Sequence, residues 1–262
     1  MIKAMRTAAS GMVAQQMNVD VIANNLSNVN TVGFKKSKIE FQDILYQRLR
    51  AAGTESAAGS KVPVSLEVGY GTRPAATQRS FTMGSLQQSG NPLDLAIEGQ
   101  GFLQVLMPDG TMAYTRDGAL KISADGQVVT SDGFYLQPNI TIPADAADIS
   151  ISADGILSVF IPGDAEPQEM GQFELAKFIN PAGLRSIGHN LYTGSSASGD
   201  PILGNPSVEG FGRINQGYLE MSNVDIVEEM VNMIVAQRAY EINSKAIQTS
   251  EEMTQIANNL KR

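Results

Sequence analysis

Residues 2–26 read IKAMRTAASGMVAQQMNVDVIANNL, a segment whose apolar and small side chains recur at alternating spacings of three and four. This spacing is that of an a/d heptad seam, along which one helix packs lengthwise against another. The segment therefore predicts a long helix that needs a helical neighbour. The seam consists of Ile2, Met5, Ala9, Met12, Gln16, Val19, Ala23 and Leu26.

The C-terminal part of the chain predicts a second long helix, which carries two apolar stripes. A helix buried on one face needs one stripe, whereas two stripes require two neighbours. The N-terminal helix can cover one stripe, and either the chain's own β region or another copy of the chain must cover the other. We expect Ser222 or Asn223 to cap this helix. The stripes are Ile242, Ala246, Thr249, Met253, Ile256 and Leu260, and Met230, Met233, Gln237, Tyr240, Ser244 and Ile247.

The middle of the chain predicts short β-strands joined by tight turns. Asp-Gly pairs supply the positive φ that tight hairpins need, and they stand at 109–110, 117–118, 125–126, 132–133 and 154–155. The runs expected as strands are 95–97, 102–106, 127–130, 149–151 and 156–160. Residues 34–49 could form a strand or a short helix. The predicted fold class is α+β, a discontinuous coiled-coil-like helical domain from both termini with looped-out all-β domains.

Composition excludes several classes of protein. The 262 residues are 42% hydrophobic, which is enough for a substantial core. A net charge of −8 argues against nucleic-acid binding, and the densest basic cluster, Lys35, Lys36 and Lys38, is expected on a solvated strand face. The absence of cysteine excludes disulfides and thiolate metal sites. No apolar run approaches the ~20 residues of a membrane span, and the N-terminus lacks the apolar region of a Sec signal.

Candidate chemistry is sparse. His189 is the only histidine, so a typical zinc site is not expected, and no Walker A or nucleophile-elbow sequence occurs. Arg116 and Asp117 fall at an expected hairpin turn, where Asp has a turn role. We therefore predict no enzyme activity, no cofactor, no metal and no small-molecule substrate.

Several motifs resemble the flagellar rod and hook protein family. They are ANNLSNVNTVGFK at 23–35, IEGQGF at 97–102, YTRDG at 114–118, FINPAGL at 178–184, MVNMI at 230–234 and QRAYEINSKA at 237–246. The resemblance covers essentially the whole chain in order. The family-motif residues taken as candidate sites are Asn24, Asn25, Asn28, Thr31, Gly33, Phe34, Gln237, Arg238, Ala239, Tyr240 and Asn243.

Within that family the chain most resembles the distal rod members. Its length fits them, as does QQMNVDVI at 15–22, and residues 46–66 fall where distal rod members carry an insertion that the hook lacks. In the family, the insertion is held to stiffen the rod relative to the flexible hook. The residues that mark this rod-specific segment are Tyr46, Arg50, Gly53, Pro63 and Leu66.

The resemblance implies three domains: residues 1–31 with 222–262 for assembly, 32–71 with 194–221 as a connecting β domain, and 72–193 as an outer β domain. It implies a structural subunit that self-assembles into a helical tube, the drive shaft that transmits torque to the hook. The implied partners are further copies of the chain, proximal rod subunits, the hook protein, the P- and L-ring bushing and the flagellar type III export apparatus.

The implied location is the flagellar basal body, in a rod that crosses the periplasm and the outer-membrane ring, reached without a Sec signal. A proximal rod or hook-type axial subunit remains an alternative. From other classes, a monomeric β-rich binding module and a small polysaccharide-acting enzyme also remain open. The residues predicted to drive self-assembly are Ile2, Met5, Met12, Val19, Leu26, Met230, Met233, Tyr240, Ile247, Met253, Ile256 and Leu260.

Overall fold

The computed structural model describes residues 2–53, 63–162 and 166–260. A long helix stands near either end, α1 at Ile2–Ser27 and α2 at Ile226–Asn259, and the described residues between them form mainly short β-strands. The predicted α+β fold class is thereby confirmed, while the finer division into three domains stays a prediction. The chain forms two compact units: Met1–Leu26, Ser37–Gln78 and Asp225–Arg262 make the first, and Ser27–Lys36 and Arg79–Val224 make the second.

The first unit holds both helices and two small sheets. The strand β1 (Ser37–Asp43) pairs with β4 (Thr72–Arg79), and β2 (Tyr46–Arg50) pairs with β3 (Leu66–Gly69) in antiparallel register. The segment that the sequence left open between strand and helix is therefore strand.

The cap of α2 differs from the prediction. The Asp225 carboxylate accepts hydrogen bonds from the backbone N–H groups of Val227 (2.8 Å) and Glu228 (3.1 Å), so Asp225 is the N-cap. The expectation of Ser222 or Asn223 was wrong because both side chains have other partners. Ser222 Oγ accepts from Val224 N, and the Asn223 amide donates to Ser80 O.

The second unit is built around one nine-stranded sheet. Its main path runs β16-β17-β8-β7-β11-β10-β9, and β15 joins β7 to β18. The bounds are β7 Phe102–Leu106, β8 Met112–Thr115, β9 Lys121–Ile122, β10 Val128–Val129, β11 Tyr135–Gln137, β15 Leu175–Lys177, β16 Arg185–Gly188, β17 Leu191–Thr193 and β18 Ile202–Gly204, with a 3₁₀ turn at Pro181–Gly183.

Three smaller sheets complete the second unit. The strand β12 (Asp148–Ile151) pairs with β13 (Ile156–Phe160), which pairs with β14 (Gln168–Gln172). The remaining pairs join residues far apart in the chain: β6 (Leu95–Glu98) with β19 (Arg213–Gln216), and β5 (Leu86–Gln88) with β20 (Tyr218–Glu220). The five predicted strand runs are confirmed, with differences of one or two residues at some ends.

Two hydrophobic clusters fill the second unit. The larger one takes buried aliphatic side chains from the main sheet, the three-stranded sheet and β6, including Leu103, Leu157, Leu175 and Ile214. The smaller one is aromatic and joins Phe102, Tyr114, Phe178 and Tyr192, with Phe81 packed against it. Its rings meet edge to face, as Tyr114 and Phe178 do at 4.8 Å between centroids.

Four of the five Asp-Gly pairs form turns with positive φ at glycine, as predicted: Gly110, Gly126, Gly133 and Gly155. The exception is Gly118, which is not among the positive-φ glycines. A Cβ at that position would lie 1.6 Å from the Leu95 carbonyl oxygen. Gly118 is therefore required by close backbone approach and not by turn geometry.

Candidate assembly surface

The two terminal helices pack against one another in antiparallel order. Near one end, the Asn25 side-chain amide donates to Glu229 Oε2 at 3.1 Å. Towards the other end, Gly11 faces Asn243 so closely that a Cβ on Gly11 would lie 2.9 Å from Asn243 Nδ2. As the residue number rises on α1 it falls on α2, so the helices run in opposite directions.

Asn25 also secures the segment that follows α1 within the first unit. Its amide donates to the backbone carbonyl of Ser37 at 2.8 Å, and its Oδ1 accepts from the Ser37 N–H at 2.9 Å. Asn25 is almost completely buried, and its polar atoms are satisfied by β1 and α2. The family motif thus contains a residue that joins three elements.

The α1 seam predicted for assembly lies next to the face of this helix that is buried in the first unit. Ala8, Ala14, Ile22 and Asn25 are buried. The predicted seam residues Met5, Met12, Val19 and Leu26 are only half-buried, and the side chain of Ile2 lies outside the described residues. The seam therefore retains surface on which a further neighbour could pack.

The predicted assembly residues of α2 divide into two groups. Met233 and Ile247 are half-buried on the α1-facing side, where Glu229 and Ala236 are fully buried. The others are exposed apolar side chains: Met230, Tyr240, Met253, Ile256 and Leu260.

Three of these exposed residues, Met253, Ile256 and Leu260, belong to a longer stripe that the sequence patterns revealed only in part. We call it the outer stripe: Val227, Val231, Ile234, Val235, Ile242, Met253, Ile256 and Leu260. At 100° per residue these positions fall within a sector of roughly 100°, opposite to Glu229, Ala236 and Ile247. At 1.5 Å per residue the stripe is about 50 Å long. Monomeric soluble proteins rarely expose so long an apolar surface, which is typical of an interaction site.

The remaining family-motif residues have varied surroundings. Arg238 forms an exposed ion pair with Glu241 at 2.9 Å on α2, beside exposed Gln237 and half-buried Ala239. Asn24 is exposed, and Phe34 is half-buried. At the start of the second unit, Thr31 Oγ1 donates to Asn28 Oδ1 at 3.2 Å.

Gly33 has a φ of 68° and donates its N–H to the Glu220 carbonyl at 2.8 Å. A Cβ there would lie 2.7 Å from the backbone of Arg116. Any other residue at this position would therefore be strained and would also clash.

The rod-specific segment forms an exposed hairpin in the first unit. The marker residues Tyr46 and Leu66 are apolar and more than half exposed, and Arg50, Gly53 and Pro63 are exposed as well. An exposed ion pair joins Arg48 to Glu67 across the hairpin at 3.0 Å. Residues 54–62 of this segment lie outside the described residues. The hairpin therefore provides a second uncovered apolar surface in the first unit.

A buried ion cluster in the second unit was missed at the sequence level. Lys35 was expected on a solvated strand face, which was wrong: its side chain is fully buried. Its ammonium lies 2.5 Å from Glu220 Oε1, and Arg116 Nη1 lies 3.3 Å from Glu220 Oε2. Burial lowers the pKa of Lys35, and it also lowers the pKa of Arg116, while Glu220 opposes both changes.

This cluster ties together segments that are remote in sequence. Lys35 also donates to Thr82 O at 2.8 Å, and Glu220 also accepts from Gly84 N at 3.0 Å. Arg116 was assigned to a turn, yet its guanidinium donates to Gly99 O at 2.6 Å. The only sign of this cluster in the sequence was that Lys35 and Arg116 both stand inside family motifs. The Glu220 carboxylate could not be matched to them because it lies more than 100 residues from either one.

Comparisons with known proteins agree with this architecture. Residues 5–35 match the model for flagella basal body rod proteins, residues 96–159 the flagellar hook protein FlgE/F/G D1 domain, and residues 215–260 the C-terminal region of the flagellar basal body rod FlgEFG proteins. The chain is 57% identical to the flagellar basal-body rod protein FlgG of Borreliella burgdorferi over the full length of both chains. The chain belongs to the flagellar basal-body rod protein family.

Other members of this family are similar over comparable lengths. The flagellar basal-body rod protein FlgG of Caulobacter vibrioides is 48% identical, covering 99% of this chain and 100% of its own. The corresponding Bacillus subtilis protein is 41% identical over the full length of both. Along the described ranges, no helix is long and apolar enough to cross a membrane. Within the same ranges, no group of three or more His, Asp or Glu side chains could hold a metal ion.

Proposed function

We propose that the chain is a structural subunit of the flagellar distal rod, which polymerises into a helical tube and transmits torque to the hook. The proposal rests above all on the outer stripe of α2, an apolar surface that faces away from the only helix packed on α2 within the described chain. The relatives named flagellar basal-body rod proteins match this chain from end to end, which supports the same role here.

In the proposed assembly, the outer stripe of one copy packs against the half-buried α1 seam of another. A contact between two different surfaces of one chain is heterologous, and it generates an open helical filament when the rotation does not close a ring. Such helices pack well only in register, because each apolar side chain fits between residues of the facing helix. The helices would then form the inner layer of the tube.

The exposed β2–β3 hairpin supplies a second contact in this proposal. Its apolar side chains, such as Leu49 and Val68, would be covered by neighbouring copies. Contacts made by the hairpin in addition to those of the helices would resist bending and twisting of the tube. Stiffness is a property that a drive shaft needs, which supports the rod-specific role of residues 46–66.

The proposed partners are the proximal rod subunits, the hook protein, and the P- and L-ring bushing that surrounds the rod. The proposed route is export as an unfolded chain by the flagellar type III apparatus, without a Sec signal. The proposed location is the part of the basal body that crosses the periplasm and the outer-membrane ring. The role is non-enzymatic and involves no cofactor, metal or small-molecule substrate.

The test is sedimentation velocity of the full chain across a concentration series. The wild type should form large species, and Ile256→Asp should remain monomeric because a carboxylate cannot be buried unpaired in an apolar contact. Gln255→Asp is the matched control: it adds the same charge one residue away, at an exposed position outside the outer stripe. The far-ultraviolet circular dichroism of the two variants should be the same, since both positions are exposed. If Ile256→Asp polymerises like the wild type, the outer stripe is not the assembly surface.

A further inference from the structure

The second unit contains a cavity of about 230 Å³ with cationic and aromatic walls. We call it the basic pocket and define it by six of its lining residues: Phe81, Phe102, Arg116, Lys177, Phe178 and Ile179. None of its lining residues belongs to the outer stripe or to the β2–β3 hairpin, so neither of those surfaces accounts for it.

The aromatic rings and the Arg116 guanidinium in the walls of the basic pocket are held in place by their neighbours. Phe102 meets Phe81 at 5.4 Å and Phe178 at 5.9 Å between ring centroids, in both cases edge to face. The Arg116 guanidinium carbon lies 5.3 Å from the centre of the Phe102 ring. The carbonyls of Ile97 and Gly99 hold the two terminal nitrogens of Arg116 in place. A pocket with fixed walls binds a partner with little loss of conformational entropy.

Two features of the pocket remain unsatisfied within the described residues. The buried Nε of Arg116 has no hydrogen-bond partner there. The ammonium of Lys177 forms no ion pair with any described carboxylate, and the adjacent Ile179 is 82% exposed although it is apolar. The rim therefore presents an unpaired positive charge next to an uncovered apolar side chain.

A complementary surface lies elsewhere in the second unit, on the outer face of the three-stranded sheet. Phe160 is exposed there, and Asp148 stands directly opposite it on β12. Glu169 of β14 stands opposite Ser158, which is two residues from Phe160 and so on the same face. Both carboxylates are exposed and have no ion-pair partner in the part of the chain that the structure covers. We call Asp148, Phe160 and Glu169 the acidic knob.

We propose that the acidic knob of one copy docks into the basic pocket of the next copy. The Phe160 ring enters between the pocket aromatics, and Asp148 and Glu169 face Lys177. A cavity of about 150 Å³ holds a benzene ring, so 230 Å³ accommodates a Phe side chain. A chain with a net charge of −8 repels its copies in general, and an ion pair of this kind selects one docking position.

This inference rests on the proposed self-assembly and adds a contact between β units to it. The knob and the pocket are different surfaces of one chain, so the contact is heterologous and continues from copy to copy. It also compensates the Lys177 charge and covers Ile179.

The first experiment is a charge reversal in the full chain, with the critical concentration for polymerisation as the readout. Lys177→Glu should raise it about tenfold, and so should Asp148→Lys, because each places like charges in contact. The double variant Lys177→Glu/Asp148→Lys should recover part of the loss, since the pair between positions 148 and 177 is restored with its signs exchanged while Glu169 keeps its charge. Two substitutions at exposed positions outside both surfaces are the controls for net charge alone: Asp125→Lys for Asp148→Lys, and Lys121→Glu for Lys177→Glu.

The second experiment places the photoreactive residue benzoylphenylalanine at Ile179 in polymers mixed from unlabelled and ¹⁵N-labelled chains. Crosslinks should join residue 179 of one copy to residues 148–169 of another. Crosslinks to any other segment would overturn the docking contact.

The two proposals fail in different ways. If the wild type polymerises and each charge reversal has no effect beyond that of its net-charge control, the docking contact is wrong and the rod function stands. If the wild type does not polymerise at all, the proposed function fails and the docking contact fails with it.

Discussion

The two units of this protein differ in how much of their apolar surface is buried. The second unit encloses large aliphatic and aromatic side chains, with Leu103, Leu157 and Leu175 almost completely buried. In the first unit, the described hydrophobic residues that are buried are mostly small. They are Ala8, Ala14, Ile22, Ile39 and Ala236. Most of the larger apolar side chains of α2 lie at the surface.

The difference shows which part of the chain is complete as a monomer. Hydrophobic stabilisation scales with the apolar area removed from water, so the second unit can stabilise itself with its own residues. The helices of the first unit bury little and leave the outer stripe in solvent. Most helical stability in proteins comes from packing of the apolar face, and the outer stripe of α2 has no such packing among the described residues.

The strongest expected effect is on the buried ion cluster of the second unit. Glu220→Gln should lower the free energy of unfolding by about 3–5 kcal/mol, because Lys35 and Arg116 are then buried without a carboxylate. Lys35→Met should cost much less, since it leaves a neutral Arg116–Glu220 pair. Urea unfolding followed by the near-ultraviolet circular dichroism of tyrosine measures both. Equal losses in the two variants would contradict the charge argument.

Substitutions of one aliphatic side chain in each unit should sharpen the contrast. Leu157→Ala, in the core of the second unit, should cost about 2–5 kcal/mol because it leaves a cavity. Ile234→Ala, on the outer stripe, should change the stability of the monomer by less than about 0.5 kcal/mol. Unfolding should be measured below the concentration at which the chain polymerises. A large loss for Ile234→Ala would mean that α2 is covered within the monomer.

A smaller loss of stability than that of Leu157→Ala is expected at the start of α2. Asp225→Ala should reduce helix stability by about 1 kcal/mol, because the N–H groups of Val227 and Glu228 lose their acceptor. Asp225→Asn keeps an acceptor oxygen and should retain most of that stability. The ellipticity at the helical minimum during thermal unfolding separates the two. An unchanged midpoint for Asp225→Ala would contradict the capping role.

Local patterns in the sequence predicted the elements well. The spacings of three and four in residues 2–26 and 242–260 depend on helical geometry alone, and both regions are helical. The strands at 102–106 and 156–160 agree residue by residue with β7 and β13. Asp-Gly turns were predicted for the same reason, since positive φ is a property of the local backbone.

Contacts between remote residues could not be predicted. Nothing near Lys35 indicates that its ammonium meets a carboxylate 185 residues later, so a buried lysine looked like a solvated one. Ser222 or Asn223 was predicted to cap α2, and only the engagement of both with other partners in the fold leaves Asp225 for that role. Gly118 was assigned to a turn because the Leu95 carbonyl against it comes from another strand.

The sequence by itself determined the helices at both ends, the strands between them and, through its motifs, the flagellar rod and hook family. Only the tertiary structure decided which face of α2 meets α1, which face remains in solvent, and which charges are buried. The physical reason is that periodicity and turn preferences are properties of neighbouring residues. Burial, by contrast, depends on which distant segments the fold brings together, and two equivalent stripes on one helix can be told apart only when one of them is covered.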